Sequence, residues 1–370
     1  MSESNQLQGC AITGIGSYVP ERVLTNADLA EMVDTNDEWI TTRTGIKQRR
    51  MAAEDEFTST MAVAAARKAL AQADLEPADL DLIVVATITP DMPFPATACL
   101  VQQELGAAKA AAFDLEAACS GFIYALEVGR AFIASGVYQN VLIVGAEKLS
   151  SIIDWTDRNT CVLFGDGAGA AVLQRREGAR GVLATRLGSD GTKADILAMP
   201  GGGCRQPATV DSVNDRIHFL KMEGKEVYKN AVTAMTAAAK DVLDRSGVSI
   251  EDIKCIIPHQ ANQRIISAIG DRLGARENQV FVNLQKYGNT SAASVAVALD
   301  EALSSGKIER GDKILIIAFG AGLTGIIRQP GRAAGPGRGL GGPDAGTGRR
   351  PGQLACRPWP QSQQRGEQNR

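Results

Sequence analysis

The sequence predicts an α/β protein of two related halves, and three observations carry that prediction. Unbroken Val/Ile/Leu runs such as "DLDLIVVATIT" and "NVLIVGAEK" alternate with Ala-rich stretches of helical period such as "STMAVAAARKALAQADL". Fully apolar strands joined by helices imply a sheet covered on both faces, and taken alone they imply parallel strands. Finally, "FGDGAGAAVLQR" (164–175) closes the first half, and "FGAGLTGIIRQ" (319–329) echoes it at the close of the second.

The elements follow in order. "CAITGIGSYVP" reads as a strand, and "TNADLAEMV" as a helix capped by Thr25 or Asn26. After the Ala-rich helix and the strand "DLDLIVVATIT" come the helix "ATACLVQQELG", the extended "AAAFDLEA", the helix "SGFIYALEVGRAFIASG" ending on Gly136, and the strand "NVLIVGAEK". The second half supplies "GKEVYKNAVTAMTAAAKDVLDRSG" as helix, "DIKCIIPHQAN" as strand, "NQRIISAIGDRLG" and "TSAASVAVALDEALSSG" as helices, and "DKILIIAFGAGLT" as strand. The glycines of "GDGAG" and "GIGSYVP" imitate a dinucleotide fingerprint. That motif must open a helix, whereas the first precedes the strand "AAVLQR" and the second runs into Pro20, so both read as tight turns or close sheet packing.

Composition narrows the function classes. No run reaches the ~18 apolar residues of a membrane span, and the N-terminus "MSESNQLQGC" carries no export pattern, so a cytoplasmic protein without a membrane role is expected. The seven cysteines are scattered with no C-x-x-C pair, which argues against disulfides and against zinc-type metal sites. The net charge of −3 hides a basic tail: residues 331–370 hold seven Arg, two acidic residues, ten Gly and five Pro, with no apolar period. That tail reads as disordered, and without interleaved aromatics it gives no nucleic-acid site. The expected organisation is residues 1–180, residues 181–330 and this tail.

Chemistry concentrates at three junctions. Cys119, in "AACSGF", falls where a strand gives way to a helix, whose N-terminal dipole favours thiolate; on that segment alone, packing and attack explain it equally well. The chain has two histidines: His218 lies in a polar stretch and reads as local, whereas His259 follows the strand "CIIP". Asn289 sits between Gly288 and a small-residue helix. Sites of α/β sheets gather at strand carboxyl ends, so the joint placement of Cys119, His259 and Asn289 favours a catalytic set. The order Cys–His–Asn and the 140-residue Cys-to-His gap also suit a papain-like protease, but the flanks of Cys119 lack that family's signature.

"TNADL", "DTNDEWITTRTGI", "AACSGF", "FGDGAGAAVL", "PHQAN" and "GNTSAAS" together resemble the motifs of β-ketoacyl-acyl-carrier-protein synthase III, a thiolase-superfamily condensing enzyme, over nearly all of residues 8–324. The resemblance implies a thiolase-like fold with mixed sheets in α-β-α-β-α layers, a homodimer, and an acyltransferase without a bound cofactor. Its substrates would be an acyl-CoA and malonyl-acyl carrier protein. It further implies that Cys119 carries the acyl group, that His259 and Asn289 stabilise the enolate of decarboxylation, and that the backbone N–H groups of Cys119 and Ala321 form an oxyanion hole. Trp39 and Arg158 would sandwich the CoA adenine, Arg43 would meet its phosphate region, and Asn262 would also bind CoA. Phe94 would wall the acyl pocket across the dimer interface, together with Phe164, and Lys229 and Arg264 would present a basic patch to the acidic carrier protein. Without the resemblance, Trp39 reads as a surface anchor and both arginines as solvated charges. The chain departs from the pattern after Thr324, where the expected Trp is missing and the composition changes abruptly. That change reads as a shifted reading frame or an unrelated extension. The alternatives are a related condensing enzyme of secondary metabolism, or a protein impaired by its C-terminus.

Overall fold

Burial separates the chain into five alternating layers around two sheets. The computed structural model describes residues 9–176 and 181–325; the tail 331–370, residues 326–329 at the end of the "FGAGLTGIIRQ" echo, and the boundary expected at residue 180 lie outside or at the edge of the described residues. The first half begins with β1 (Gly9–Tyr18), β2 (Arg22–Thr25), α1 (Asn26–Met32), α2 (Asp37–Thr44) and β3 (Gln48–Met51). It continues through α3 (Thr58–Ala73), β4 (Leu82–Ala86), α4 (Thr97–Leu105), β5 (Ala111–Leu115), α5 (Gly121–Ala134), β6 (Asn140–Glu147), α6 (Arg158–Cys161) and β7 (Gly167–Arg176). The second half comprises β8 (Leu197–Ala198), α7 (Val210–Asn214), β9 (Lys221–Met222), α8 (Gly224–Ser246), β10 (Cys255–Pro258), α9 (Gln263–Leu273), α10 (Leu284–Tyr287), α11 (Ala293–Ser304) and β11 (Ile314–Ile317).

The large sheet runs β1-β7-β6-β4-β5. Its pairings correct the purely parallel expectation: β4 is parallel to β5 and β6, but β7 is antiparallel to both β1 and β6. An unbroken apolar run reports that both faces are buried, not which way the neighbouring strand runs. The smaller sheet pairs β10 with β11 in parallel. α5 and α11 fill the layer between the sheets, where Val84, Ile143 and Leu173 of one meet Cys255 and Ile257 of the other. α3 and α4 cover the outer face of the large sheet, and α8 and α9 that of the small one.

Small residues make this stacking possible. A Cβ on Gly14 would lie 2.0 Å from the Ala69 carbonyl oxygen, and one on Gly16 2.6 Å from that of Ala65, so α3 rides directly on β1. The close-packing reading of "GIGSYVP" therefore holds. Thr25 caps α1 in a capping box with Asp28, which decides between the two cap candidates. Among the described residues no helix is long and apolar enough to cross a membrane.

Candidate active site

A cavity of about 1040 Å³ collects the predicted residues from both halves. Cys119, His259, Asn289, Phe164 and Ala321 line it, as do Trp39, Arg43, Asn262 and Arg264. Cys119 lies in the turn Ala118–Ser120, after β5 and against the first residue of α5. Ala118 holds φ +46°, a left-handed conformation costly for a residue with a Cβ, and this kink turns the following thiol out of the strand direction. Gly121 permits the close fit of α5, since a Cβ there would meet that of Ala86 at 2.9 Å.

The thiol's electrostatics differ from the sequence expectation. Burial pushes Cys119 up to about 12; hydrogen bonding from Ser291 and the backbone acts against the rise, while the Glu147 carboxylate adds to it. The resting sulfur is thus a thiol, because the desolvation of a fully buried site outweighs the dipole of one helix end. His259 prolongs β10, its N–H donating to the Ile317 carbonyl at 2.8 Å, and its Nδ1 lies 2.6 Å from Ser294 Oγ. Burial holds its pKa down at about 4, so the imidazole is neutral at physiological pH.

Asn289 does not lie at a strand end as expected; it follows the short helix α10. It is held by a bridge to Phe164, with Asn289 N–H donating to the Leu163 carbonyl at 2.8 Å and Gly165 N–H to that of Asn289 at 3.0 Å. Its Oδ1 accepts from Ser291 N–H at 2.8 Å, which aims the opposite, donating end of the amide at the cavity. The turn containing Ala321 crosses above the nucleophile: a Cβ on Gly320 would lie 2.9 Å from the Cys119 nitrogen, and Thr324 Oγ1 donates to the Ala117 carbonyl at 3.0 Å. The turn containing Ala321 therefore packs directly against the turn that carries Cys119.

The outer part of the cavity is cationic and aromatic. The guanidinium carbons of Arg43 and Arg158 lie 4.4 and 5.3 Å from the Trp39 ring centroid. Arg158 does not line the cavity itself; it also bonds the Asp34 carbonyl at 2.7 Å and its carboxylate at 3.1 Å. Asn262 caps α9 by accepting from Arg264 N–H at 2.9 Å, and donates to the Arg43 carbonyl at 3.1 Å, so its amide ties α9 to the end of α2. Arg264 stacks over Tyr228 at 5.6 Å, and Lys229 is exposed on the neighbouring helix α8 without lining the cavity.

Two sequence readings do not converge here. Phe94 is 83% exposed and lies outside the cavity of its own chain, although Pro90 and Pro93 of the same loop line it. His218 likewise stays apart, with Nε2 2.8 Å from Ser212 Oγ, which fits its local reading. The sequence analysis missed Ser291, Ser294 and Glu147. Glu147 carried a signal, as a lone carboxylate ending an otherwise apolar strand.

The comparisons with known proteins agree with one another. The family model described as 3-oxoacyl-[acyl-carrier-protein] synthase III matches residues 113–191, and its C-terminal counterpart matches residues 243–327. The β-ketoacyl-[acyl-carrier-protein] synthase III of Caldanaerobacter subterraneus subsp. tengcongensis is 58% identical over 313 residues, 85% of this chain and 95% of that protein. The crystal structure of 3-oxoacyl-[acyl-carrier-protein] synthase III from Aquifex aeolicus VF5 superposes with a TM-score of 0.80 at 51% identity, covering 85% of this chain and 97% of that one. The priming β-ketosynthase of the R1128 polyketide pathway reaches a TM-score of 0.81 at 40% identity, covering 87% and 96%.

Proposed function

The chain belongs to the β-ketoacyl-[acyl-carrier-protein] synthase III family of condensing acyltransferases, and from that membership we infer how its residues divide the reaction. Cys119 attacks the thioester of an acyl-CoA; the new sulfur–carbon bond replaces the one to CoA, and the CoA thiol departs with a proton. Malonyl-acyl carrier protein then loses carbon dioxide. The resulting enolate carbon attacks the acyl-cysteine, and Cys119 leaves as a thiolate that takes its proton from solvent. His259 and Asn289 donate to the malonyl thioester oxygen while it carries the enolate charge, and the Cys119 and Ala321 N–H groups serve the acyl carbonyl.

The observation that supports this reading best is the convergence of a thiol, a neutral imidazole and a fixed amide on one cavity. A neutral imidazole donates one hydrogen bond without needing a carboxylate partner. Trp39, Arg43 and Arg158 suit the adenine and phosphates of CoA, and Arg264 and Lys229 suit an acidic carrier protein. The reaction calls for no resident cofactor or metal. A cytoplasmic homodimer, with Phe94 of each copy completing the other's acyl pocket, gives that exposed ring a use. The synthase III relative at 58% identity stands above the polyketide priming enzyme at 40%, which favours the fatty-acid role.

The test separates the half-reactions. Incubation with a panel of acyl-CoAs followed by peptide mass mapping should place the acyl group on Cys119. His259→Ala and Asn289→Ala should keep most of that acylation but lose malonyl decarboxylation by roughly 100- to 1000-fold. Acylation on another cysteine, or loss of acylation rather than decarboxylation in His259→Ala, would refute the assignment.

A further inference from the structure

A neutral imidazole carries a single ring proton, on Nδ1 or on Nε2, and its power to donate into a site depends on which nitrogen holds it. His259 is 3% exposed, lines the cavity, and has Nδ1 2.6 Å from Ser294 Oγ. Ser294 is itself 2% exposed. Among the described residues Nε2 has no protein partner, so the ring is anchored at one edge and free at the other. Backbone fixes both ends of the anchor. His259 N–H donates to the Ile317 carbonyl at 2.8 Å, and Ser294, in the first turn of α11, donates its N–H to the Ser291 carbonyl at 3.1 Å. That turn also lies hard against β6, where a Cβ on Gly145 would stand 2.3 Å from the Ala292 carbonyl oxygen.

The direction of the anchoring bond follows from a count of protons and acceptors. A serine hydroxyl has one proton and two lone pairs, whereas a ring nitrogen either donates or accepts. A helical serine often spends its proton on the carbonyl four residues back. Here the Thr290 carbonyl takes the Ala293 N–H at 3.1 Å, and Nδ1 is the one partner of Ser294 Oγ among the described residues. If Nδ1 held the ring proton and donated it to Oγ, the serine proton would be buried with nothing to receive it. An unmade bond of that kind disfavours the form by about 10- to 100-fold. With Ser294 as donor, both groups are satisfied and the ring proton sits on Nε2.

We propose that Ser294 is a positioning residue that sets the tautomer of His259, donating to Nδ1 and so holding the ring proton on Nε2, where the enolate oxygen forms. The inference rests on His259 donating to the malonyl thioester oxygen, and it explains how a histidine without a carboxylate partner can do so. As the bond from the malonyl carbon to its carboxylate breaks, the electron pair passes into the enolate and charge gathers on the thioester oxygen. That charge pulls on the Nε2–H group and leaves Nδ1 richer in electrons. The bond from Ser294 therefore strengthens in the transition state more than it does with bound malonyl thioester. Carbon dioxide departs, and the ring proton stays on Nε2 throughout. Acyl transfer to Cys119 develops its charge at the backbone N–H groups instead and should be nearly indifferent to Ser294.

The first test reads the tautomer in the full chain. The sequence has two histidines, so His218→Gln with isotopically labelled imidazole nitrogens leaves one set of ring signals in NMR spectra. Between about pH 6 and 8 they should show a protonated Nε2 and an accepting Nδ1. A protonated Nδ1 overturns the proposal, and this reading needs no change at Ser294. The second test measures the half-reactions separately. Ser294→Ala should lower kcat for release of carbon dioxide from malonyl-acyl carrier protein by about 10- to 100-fold with KM within about threefold, and leave acylation of Cys119 by acetyl-CoA within about threefold. In its spectra the two nitrogen signals should move toward each other as the tautomers mix. Ser294→Thr, which keeps the hydroxyl, should recover the wild-type spectrum and most of the rate. Undiminished decarboxylation in Ser294→Ala, or an equal loss in both half-reactions, overturns the proposal. If His259→Ala decarboxylates at the wild-type rate, the role given to His259 in the proposed function fails instead, and the spectra still decide what Ser294 does to the ring.

Discussion

Replacement of Gly145 by alanine tests how tightly the catalytic loop is set by the sheet beneath it. Gly145 lies in β6, where it pairs with Ala86 of β4 and Gly169 of β7, so its backbone has no freedom to retreat. A Cβ there would stand 2.3 Å from the Ala292 carbonyl oxygen, 2.7 Å from the Ala292 carbonyl carbon and 3.2 Å from the Ala293 nitrogen. All three are backbone atoms, and relieving the first contact requires the 289–293 segment to lift by about 1 Å. That displacement breaks the 2.9 Å bond from Ser291 to Glu147 and shifts Asn289, which is tied to Ser291 N–H. Overpacking of this kind costs about 1–3 kcal/mol of stability, and a misplacement of about 1 Å costs on the order of 100-fold in rate. The assay is urea denaturation together with separate measurement of Cys119 acylation and malonyl decarboxylation. Gly169→Ala is the control: its Cβ would meet Ala296 Cβ at 2.4 Å, one turn further along α11, so it should destabilise comparably while disturbing the two rates far less. A Gly145→Ala protein with wild-type rates, or with losses no larger than those of Gly169→Ala, would refute the reasoning.

Three further outcomes are expected. His259 titrates at about 4 when folded against 6.5 ordinarily, so its contribution to stability is complete above pH 6.5 and is lost, by about 3 kcal/mol, as pH falls to 4. Glu147, raised from 4.5 to about 7, has the opposite sign: its contribution is complete below pH 4.5 and is lost as pH rises through 7. Denaturation curves should therefore show His259→Ala gaining on the wild type as pH falls from 6.5 to 4, and Glu147→Gln gaining as pH rises from 4.5 to 7; parallel curves would contradict both. Arg49 is fully buried and donates to the Leu24 carbonyl, Asn26 Oδ1 and the Val162 carbonyl, with no carboxylate pairing among the described residues. Arg49→Met strands those acceptors and should cost about 3 kcal/mol in a denaturation experiment. Trp39→Ala should raise KM for acyl-CoA about tenfold with little change in kcat, since the ring would contact the non-reacting part of CoA; an unchanged KM would remove Trp39 from the binding site.

The sequence by itself determined the elements and the residue types of the site. Apolar period and capping chemistry are local properties: the Ala-rich pattern gives α3, Thr25 with Asp28 starts α1, and left-handed Gly136 and Gly247 follow α5 and α8. Cys119 and His259 were legible for the same reason, each standing at the end of a recognisable strand next to a helix start. Strand direction was not legible, because apolar content encodes burial and not the sense of the neighbouring strand. Asn289 lines the cavity, but its expected placement at a strand end was wrong, since what fixes it is a bridge to Phe164, a residue more than a hundred positions away. The protonation of the thiol was decided by tertiary structure alone: the helix end favours thiolate locally, but removal of water by both halves of the molecule outweighs it. Glu147 stands out along the chain as a lone carboxylate ending an apolar strand, but its pairing with Ser291 is not written there. They meet only because β6 ends beneath the loop before α11, where Gly145 lets two backbones approach more closely than any side chain would allow.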